Sequence, residues 1–228
     1  MNEFVEYADG DALAAGLAEQ VAADLARALT ARGRATLAVP GGSTPAPFLT
    51  ALAGQGLEWS RIAVCPTDER WAPPEHERSN EGMIRRALLA NGASPTFLPF
   101  WRAGMTPEAA APSVAHAFAP FLPIDVCVIG MGTDMHCASL FPGGKGLEAA
   151  MDPNGKDVIA PLTAPGAPEP RITLTAARLA EATKVYLLIT GAEKRAAMLS
   201  AYVESDVLKA PVGAILRRAA CAETHWAP

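Results

Sequence analysis

The sequence lacks the long apolar runs and the charge excess that mark membrane proteins and nucleic-acid-binding proteins. Its apolar runs are far shorter than the ~20 residues that a membrane-spanning helix needs. The formal net charge of -5 gives no general attraction to nucleic acid or to anionic membranes. The N-terminal segment has neither the basic nor the apolar stretch of a secretory signal. We therefore expect neither a nucleic-acid nor a membrane partner, and an anionic ligand would need locally placed cations.

Cysteine is scarce as well, and its spacing excludes two common kinds of site. Cys65, Cys127, Cys137 and Cys221 are widely separated, and none forms a CxxC pair. A zinc knuckle and a dithiol redox motif are therefore not supported. Cys65 and Cys127 lie in apolar runs, which predicts small buried thiols. Free thiols and the N-terminal segment together predict a cytoplasmic location.

Short apolar runs alternate with amphipathic segments along the chain, in which half of the residues are hydrophobic. Leucines and valines at helical spacing predict a helix over residues 9–31, with Asp9 as its N-cap and Gly33 at its end. The runs that we interpret as strands include residues 35–42, 61–65, 124–130 and 184–190. They are continuously apolar, which favours strands buried on both faces. We predict an α/β fold in a single domain over residues 1–228: a mostly parallel sheet with helices on both faces, in a Rossmann-like three-layer architecture.

Other segments are predicted to be less regular. The polar, proline-rich residues 66–74 are interpreted as a loop, and residues 151–170 as an irregular connection with one short strand. Ser79 or Asn80 is expected to cap the next helix. Pro112 is expected to kink or divide a later one.

The first candidate binding segment is VPGGSTP, residues 39–45. Gly41 and Gly42 leave backbone N–H groups open, Ser43 and Thr44 add hydroxyls, and the following helix offers its positive end. This composition is suited to an anion cradle. A simple strand-to-helix turn, with Ser43 or Thr44 as the helix cap, explains it equally well.

Charged residues beside other strand ends are further candidates, because ligands bind at the carboxyl ends of parallel strands. Arg70 could hold a phosphate in a bidentate manner, and Asp68 could orient a sugar hydroxyl or a water molecule. Arg171 and Lys194 are interpreted as lying at strand-to-helix transitions or helix starts, where a bound anion would offset the unfavourable helix dipole. Taken alone, each residue is better explained as a solvated or structural surface charge, and only its position beside a strand end favours a role in binding.

The segment GMGTDMHCASLFPG, residues 130–143, contains the strongest catalytic candidate. His136 lies just past the clearest strand, where an imidazole can accept a proton from water. Asp134 could orient this imidazole, although a loop histidine satisfied by Asp134 and the backbone is the simpler alternative. Cys137 beside His136 suggests a Cys–His nucleophile, but sequence neighbours on a loop seldom face each other.

Taken in order, four segments resemble the 6-phosphogluconolactonase family over nearly the whole chain: PGGSTP, TDERWAPPEHERSNEGMIRRALL, VIGMGTDMHCASLFPG and RITLTAARLAEATKVYLLITGAEK. The third is similar to the family signature GxGxDGHxASLFPG. The resemblance implies a cytoplasmic, metal-independent hydrolase without a cofactor. Its small-molecule partner would be a phosphorylated sugar lactone, 6-phospho-D-glucono-1,5-lactone, opened to 6-phosphogluconate in the oxidative pentose phosphate pathway.

Two residues depart from the family signature. Met135 stands where the family usually has glycine, and Cys137 stands where it often has threonine. A glycine would tolerate positive φ or close approach of a ligand, and methionine has a steric cost in either case.

The resulting hypothesis makes His136 the general base, with phosphate held by Ser43, Thr44, Arg70, Arg171 and Lys194. Backbone N–H groups of the Gly130 to Gly132 turn, or of the GGST turn, would stabilise the oxyanion. One alternative is a glucosamine-6-phosphate deaminase or isomerase with Asp68 as the base at C2, although no second acid follows His136 before Glu148. The other is a non-catalytic sugar-phosphate sensor.

Overall fold

The computed structural model describes residues 3–228, which form ten strands and eight α-helices. The strands are β1 (Glu3–Glu6), β2 (Ala35–Val39), β3 (Ile62–Pro66), β4 (Asp68–Arg70), β5 (Thr96–Phe97), β6 (Val126–Ile129), β7 (Ile159–Leu162), β8 (Arg171–Leu174), β9 (Lys184–Thr190) and β10 (Ala222–Ala227). The helices are α1 (Gly10–Arg32), α2 (Pro45–Ala53), α3 (Asn80–Ala87), α4 (Pro107–Phe118), α5 (Leu147–Ala150), α6 (Ala176–Ala180), α7 (Ala192–Val203) and α8 (Pro211–Arg218). None of these helices is long and apolar enough to span a membrane.

Seven strands form one sheet in the order β1-β10-β9-β6-β2-β3-β5. Every pair in this sheet is parallel. Parallel strands are normally covered on both faces, which is why their sequences are continuously apolar. The predicted α/β fold with a mostly parallel sheet is confirmed.

Alternate residues of each strand face two different hydrophobic clusters. Leu37, Val64 and Val128 pack with α1, α2 and α3 on one face. Cys65 and Cys127 pack with α4, α6, α7 and α8 on the other, and both are fully buried, as predicted. This period of two places a helical layer on each side of the sheet.

A second, three-stranded sheet in the order β4-β8-β7 corrects the predictions for two segments. Residues 66–74 are not only a loop, because they contain β4, which pairs antiparallel with β8. Strand β7 is the short strand expected within residues 151–170. Arg171 opens strand β8 and therefore does not lie at a strand-to-helix transition. The sequence hides β4 because its residues, DER, are all charged.

Local signals placed most helix ends correctly. The Asp9 side chain caps α1 by accepting from the N–H of Ala12, and Gly33 ends that helix with a φ of 74°. Ser79, rather than Asn80, caps α3 by accepting from the N–H of Gly82. The prediction for Pro112 was wrong in one respect, since α4 continues through it as one helix. Strand β1 and helix α8 were not predicted from the sequence.

The order of the strands fixes where a ligand can bind. Strands β2 and β6 are neighbours at the centre of the sheet. The chain leaves β2 toward β3 on one side and leaves β6 toward β9 on the other. A crevice forms at the carboxyl ends of strands where connections diverge in this way. The GGST turn follows β2 and the histidine loop follows β6, so both segments lie at this crevice.

Candidate active site

A cleft of about 420 Å³ opens at this crevice, and the structure brings nine of the ten predicted site residues to its wall. They are Gly41, Gly42, Ser43, Thr44, Asp68, Arg70, His136, Arg171 and Lys194. Asp134 is the exception, because it contacts His136 instead of lining the cleft. The residues come from loops, strands and a helix that are far apart in sequence. The fold, and not a local motif, therefore assembles the site.

The imidazole of His136 is held on two sides. Its Nδ1 lies 2.5 Å from Oδ1 of Asp134, and its ring stacks on Phe141 with the centroids 3.9 Å apart. A carboxylate accepts hydrogen bonds, so Nδ1 is the donor of this bond, and in a neutral imidazole Nε2 is then the nitrogen that can accept a proton. This arrangement is suited to a general base that faces the cleft.

The turn that carries His136 needs both a glycine and a strained residue. The N–H of Gly132 donates to the carbonyl of His136, and the N–H of Met135 donates to the carbonyl of Gly132. A Cβ atom at Gly132 would lie 2.3 Å from Cε1 of His136, so a side chain there would displace the imidazole. Met135 has a φ of 66°, which is the left-handed conformation expected where the family usually has glycine.

Two arginines from the small sheet form the cationic wall of the cleft. Arg70 on β4 lies directly opposite Arg171 on β8 in the antiparallel register. Like charges in this position repel each other. Burial and the charge of Arg70 lower the pKa of Arg171, while Asp68 opposes that shift. An anion bound between the two guanidinium groups would relieve their repulsion.

The neutralising charges around this wall are too few. Nη1 of Arg171 lies 3.9 Å from Oδ2 of Asp68, and Arg70 donates to the backbone carbonyl of Arg78. The Nε atoms of Arg70 and Arg171 are buried and have no hydrogen-bond partner among residues 3–228. Lys194 on α7 forms no ion pair within the same residues. Among the residues that line the cleft there are thus three cations, Arg70, Arg171 and Lys194, and one carboxylate, Asp68, a charge balance that favours a bound anion.

The turn at residues 41–44 offers donors to the same cleft. The N–H groups of Gly42, Ser43 and Thr44 have no acceptor within the described part of the chain. Thr44 occupies the N-cap position of α2, as predicted, but its hydroxyl forms no capping hydrogen bond. Pro45 and Pro47 lack N–H groups, so the first turn of α2 adds few donors of its own. The turn, more than the helix, is the candidate anion cradle.

Asn80 is a cleft residue that the sequence analysis treated only as a candidate cap. It is 1% exposed, and its Nδ2 donates to the backbone carbonyl of Asp68 at 2.7 Å. A Cβ atom at Gly41 would lie 1.7 Å from Oδ1 of Asn80, so only glycine allows this contact. Ser79 and Asn80 are both good capping residues, but a helix uses only one of them. The presence of the second was the sequence signal that Asn80 has another role.

Replacing Gly41 by alanine is therefore expected to push the Asn80 side chain away from Asp68. Overpacking of this kind costs about 1–3 kcal/mol of stability. We expect KM to rise by about tenfold, as one hydrogen-bonded wall residue is displaced. Thermal unfolding and steady-state kinetics measure the two effects. Gly56→Ala is the matched control, because no atom lies within 4 Å of its added Cβ, and an equal effect in both variants would contradict the prediction.

Asp68 joins the histidine loop to the cationic wall. Its Oδ2 accepts from the buried hydroxyl of Ser139 at 2.5 Å, and its Oδ1 accepts from Nδ2 of Asn80 at 3.3 Å. The ion pair with Arg171 occupies the same carboxylate. These contacts leave Asp68 poorly suited to abstract a proton at C2, as the deaminase alternative requires. Sequence reasoning missed Ser139 because its partner is 71 residues away.

Cys137 cannot be the nucleophile that its position beside His136 suggested. Its side chain is fully buried, and burial raises the pKa of its thiol far above the ordinary value. The thiolate, which is the reactive form, is therefore disfavoured. No group of three or more histidine, cysteine or acidic side chains that could hold a metal ion occurs among residues 3–228.

Known proteins are similar in sequence to this chain over almost its full length. The family described as glucosamine-6-phosphate isomerases/6-phosphogluconolactonase matches residues 8–226. A 6-phosphogluconolactonase of Rhizobium meliloti (strain 1021) is 43% identical over 225 residues, which cover 97% of each chain. One of Pseudomonas aeruginosa is 44% identical over 217 residues, which cover 94% of this chain and 90% of the other.

A solved structure agrees with the sequence comparison. The crystal structure of a 6-phosphogluconolactonase from Shewanella baltica OS155 is similar with a TM-score of 0.95 and 32% identity. The match covers 100% of this chain and 98% of that one. The chain therefore belongs to the glucosamine-6-phosphate isomerase/6-phosphogluconolactonase family.

Proposed function

We propose that this protein hydrolyses 6-phospho-D-glucono-1,5-lactone to 6-phospho-D-gluconate, the lactonase step of the oxidative pentose phosphate pathway. The observation that carries the proposal is an imidazole oriented by a carboxylate, in a cleft whose lining has three cations and one carboxylate. The similar proteins named 6-phosphogluconolactonase support the choice of substrate. A cytoplasmic location belongs to the proposal and is supported by four free cysteines.

The phosphate is bound by the cations of the cleft in this proposal. Arg70, Arg171 and Lys194 supply the charge, and the hydroxyls of Ser43 and Thr44 add donors. Hydrogen bonds between ionised partners are about twice as strong as neutral ones. The phosphate also relieves the repulsion between the opposed arginines, so binding stabilises the wall on which it depends.

His136 acts on water in this proposal. Nε2 takes a proton from a water molecule as the oxygen of that water attacks C1 of the lactone, and Nδ1 keeps its bond to Asp134. The oxyanion that develops at C1 is stabilised by backbone N–H groups that line the cleft, either that of Met131 or those of residues 42–44, because the N–H of Gly132 is already used in its own turn. The imidazolium then returns the proton to the ring oxygen as the C1–O bond breaks.

A comparison of two lactones tests the proposed function directly. The ratio kcat/KM should be about 10²-fold higher for the phosphorylated lactone than for glucono-1,5-lactone, as expected from two charge-assisted hydrogen bonds to phosphate. Rapid trapping of the acid product measures turnover, and spontaneous hydrolysis must be subtracted. Equal values for the two substrates would contradict the phosphate assignment.

Two further assays of the same protein distinguish the lactonase from the two alternative functions. Release of ammonia from glucosamine 6-phosphate would indicate the deaminase, which the occupied carboxylate of Asp68 disfavours. Tight binding of 6-phosphogluconate without turnover of the lactone would indicate the sensor. We expect lactone turnover and no ammonia.

A further inference from the structure

Glu69 is a completely buried acidic residue that the proposed reaction does not use. It lies at the centre of β4, between Asp68 and Arg70, which both line the cleft. Side chains alternate across a strand, so Glu69 points away from the cleft and toward α3. It is 0% exposed. A buried carboxylate this close to a binding wall needs an explanation.

Four donors converge on this carboxylate. Oε1 accepts from the N–H groups of Arg70 at 2.8 Å and Asn80 at 2.7 Å. Oε2 accepts from the N–H of Glu81 at 2.7 Å and the hydroxyl of Ser79 at 3.2 Å. Three of these donors belong to the start of α3, where unpaired N–H groups and the helix dipole favour an anion. The protein thus fills the anion site of α3 with its own side chain.

We propose that Glu69 is a positioning residue for substrate binding, whose ionised carboxylate clamps the start of α3 to β4 and thereby holds Arg70 and Asn80 at the cleft wall. Both residues donate their backbone N–H to the same oxygen of Glu69. Asn80 in turn contacts Asp68 and Gly41. Loss of the clamp would loosen the phosphate wall without touching His136.

Protonation of Glu69 weakens the clamp, because a carboxyl group that carries a proton has fewer lone pairs for four donors. Burial raises the pKa of Glu69 to about 7, and the three backbone bonds oppose that shift. The charge of Asp68 raises the pKa further. Of the other nearby charges, Glu81 is paired with Arg85, and Arg78 with Glu169.

As the pH rises through the pKa of Glu69, the free energy of unfolding should fall, whereas the affinity for the ligand should rise. The pKa of Glu69 is about 7 in the folded protein and 4.5 as a model group. The folded state therefore retains a proton that the unfolded state loses between these values, and the free energy of unfolding falls as the pH rises through the window. A residue with only a structural role would change stability and affinity in the same direction.

The first test needs no assumption about the reaction. Backbone amide resonances of wild-type protein are followed by NMR through a pH titration. The amides of Arg70, Asn80 and Glu81 should titrate together with a midpoint of about 7, because they donate to the titrating carboxylate. Amides that do not shift across this range would overturn the proposal, even if a Glu69 variant fails to fold.

The second test rests on the proposed function, since it uses 6-phosphogluconate as the ligand. At about pH 8, above the folded pKa, Glu69→Gln should bind this acid about tenfold more weakly than the wild type, because the amide NH2 group cannot accept from the two donors that share one oxygen of Glu69. At about pH 6 the two proteins should differ little, because wild-type Glu69 is then protonated. Calorimetry measures the affinity of each protein at both pH values. Because the two proteins are given the same ligand, ionisation of its phosphate group affects both affinities equally.

Glu81→Gln is the matched control, because Glu81 is also buried and its side chain binds Arg85 rather than the clamp. It should retain the affinity and the pH dependence of the wild type. In lactone turnover, Glu69→Gln should raise KM and leave kcat unchanged. Wild-type affinity in Glu69→Gln at alkaline pH would overturn the proposal, whereas a wild type that binds but does not turn over lactone would overturn only the proposed function.

Discussion

Replacing His136 by alanine should lower kcat about 10²–10⁴-fold, the range that a positioned general base contributes. The expectation follows from the position of the imidazole, which lines the cleft and stacks on Phe141. Its Nδ1 is hydrogen-bonded to the carboxylate of Asp134. Without the ring, water must attack the lactone with no nearby group to accept its proton. Affinity for 6-phosphogluconate should change little, because the phosphate wall remains intact.

His116→Ala provides the control, since His116 is an exposed residue of α4 outside the cleft. Its turnover should equal that of the wild type. Product trapping at several enzyme concentrations separates catalysis from spontaneous ring opening. If His136→Ala keeps full turnover after this correction, His136 is not the base.

Replacing Arg171 by glutamine should raise KM for the phosphorylated lactone about 10²-fold, because two charge-assisted hydrogen bonds to phosphate are lost. The guanidinium of Arg171 is buried, lies 5.2 Å from the centre of the Phe141 ring and opposes Arg70 across the small sheet. The value of kcat should fall much less, since His136 and Asp134 are unchanged. Turnover of unphosphorylated glucono-1,5-lactone should be nearly unaffected.

Arg178→Gln is the matched substitution for this prediction. Arg178 lies on α6, pairs with Glu181 and does not line the cleft. It should leave KM for both lactones unchanged. An equal loss on both substrates in Arg171→Gln would show that Arg171 maintains the fold of the cleft and does not recognise phosphate.

The sequence predicted the features that depend on local pattern. Apolar runs predicted the buried strands of the large sheet, and the structure confirms the α/β fold. Asp9 and Gly33 predicted the two ends of α1, because caps act within a few residues. Polar residues that directly follow strands predicted which segments meet in the cleft, because parallel strands end at the same edge. Assignment of roles within the cleft remains a prediction.

The features that the sequence did not reveal depend on distant partners. Strand β4 exists because it pairs with β8, about a hundred residues later, and a run of three charged residues gives no sign of this pairing. The hydrogen bond from Ser139 to Asp68 and the clamp of Glu69 on α3 are equally invisible to periodicity. Burial of Glu69 contradicts its residue type, and only the four donors around it explain why the fold accepts it.

Methionine at position 135 has a consequence for the rigidity of the histidine loop. The left-handed backbone costs a non-glycine residue about 1–2 kcal/mol. Glycine there would lose about 0.5–1 kcal/mol more chain entropy on folding. The carbonyl of Met135 also accepts from the N–H of Val212 at the start of α8, and the side chain packs against the core. Much of the strain is therefore offset, and Met135 gives the backbone beside the imidazole less conformational freedom than a glycine would.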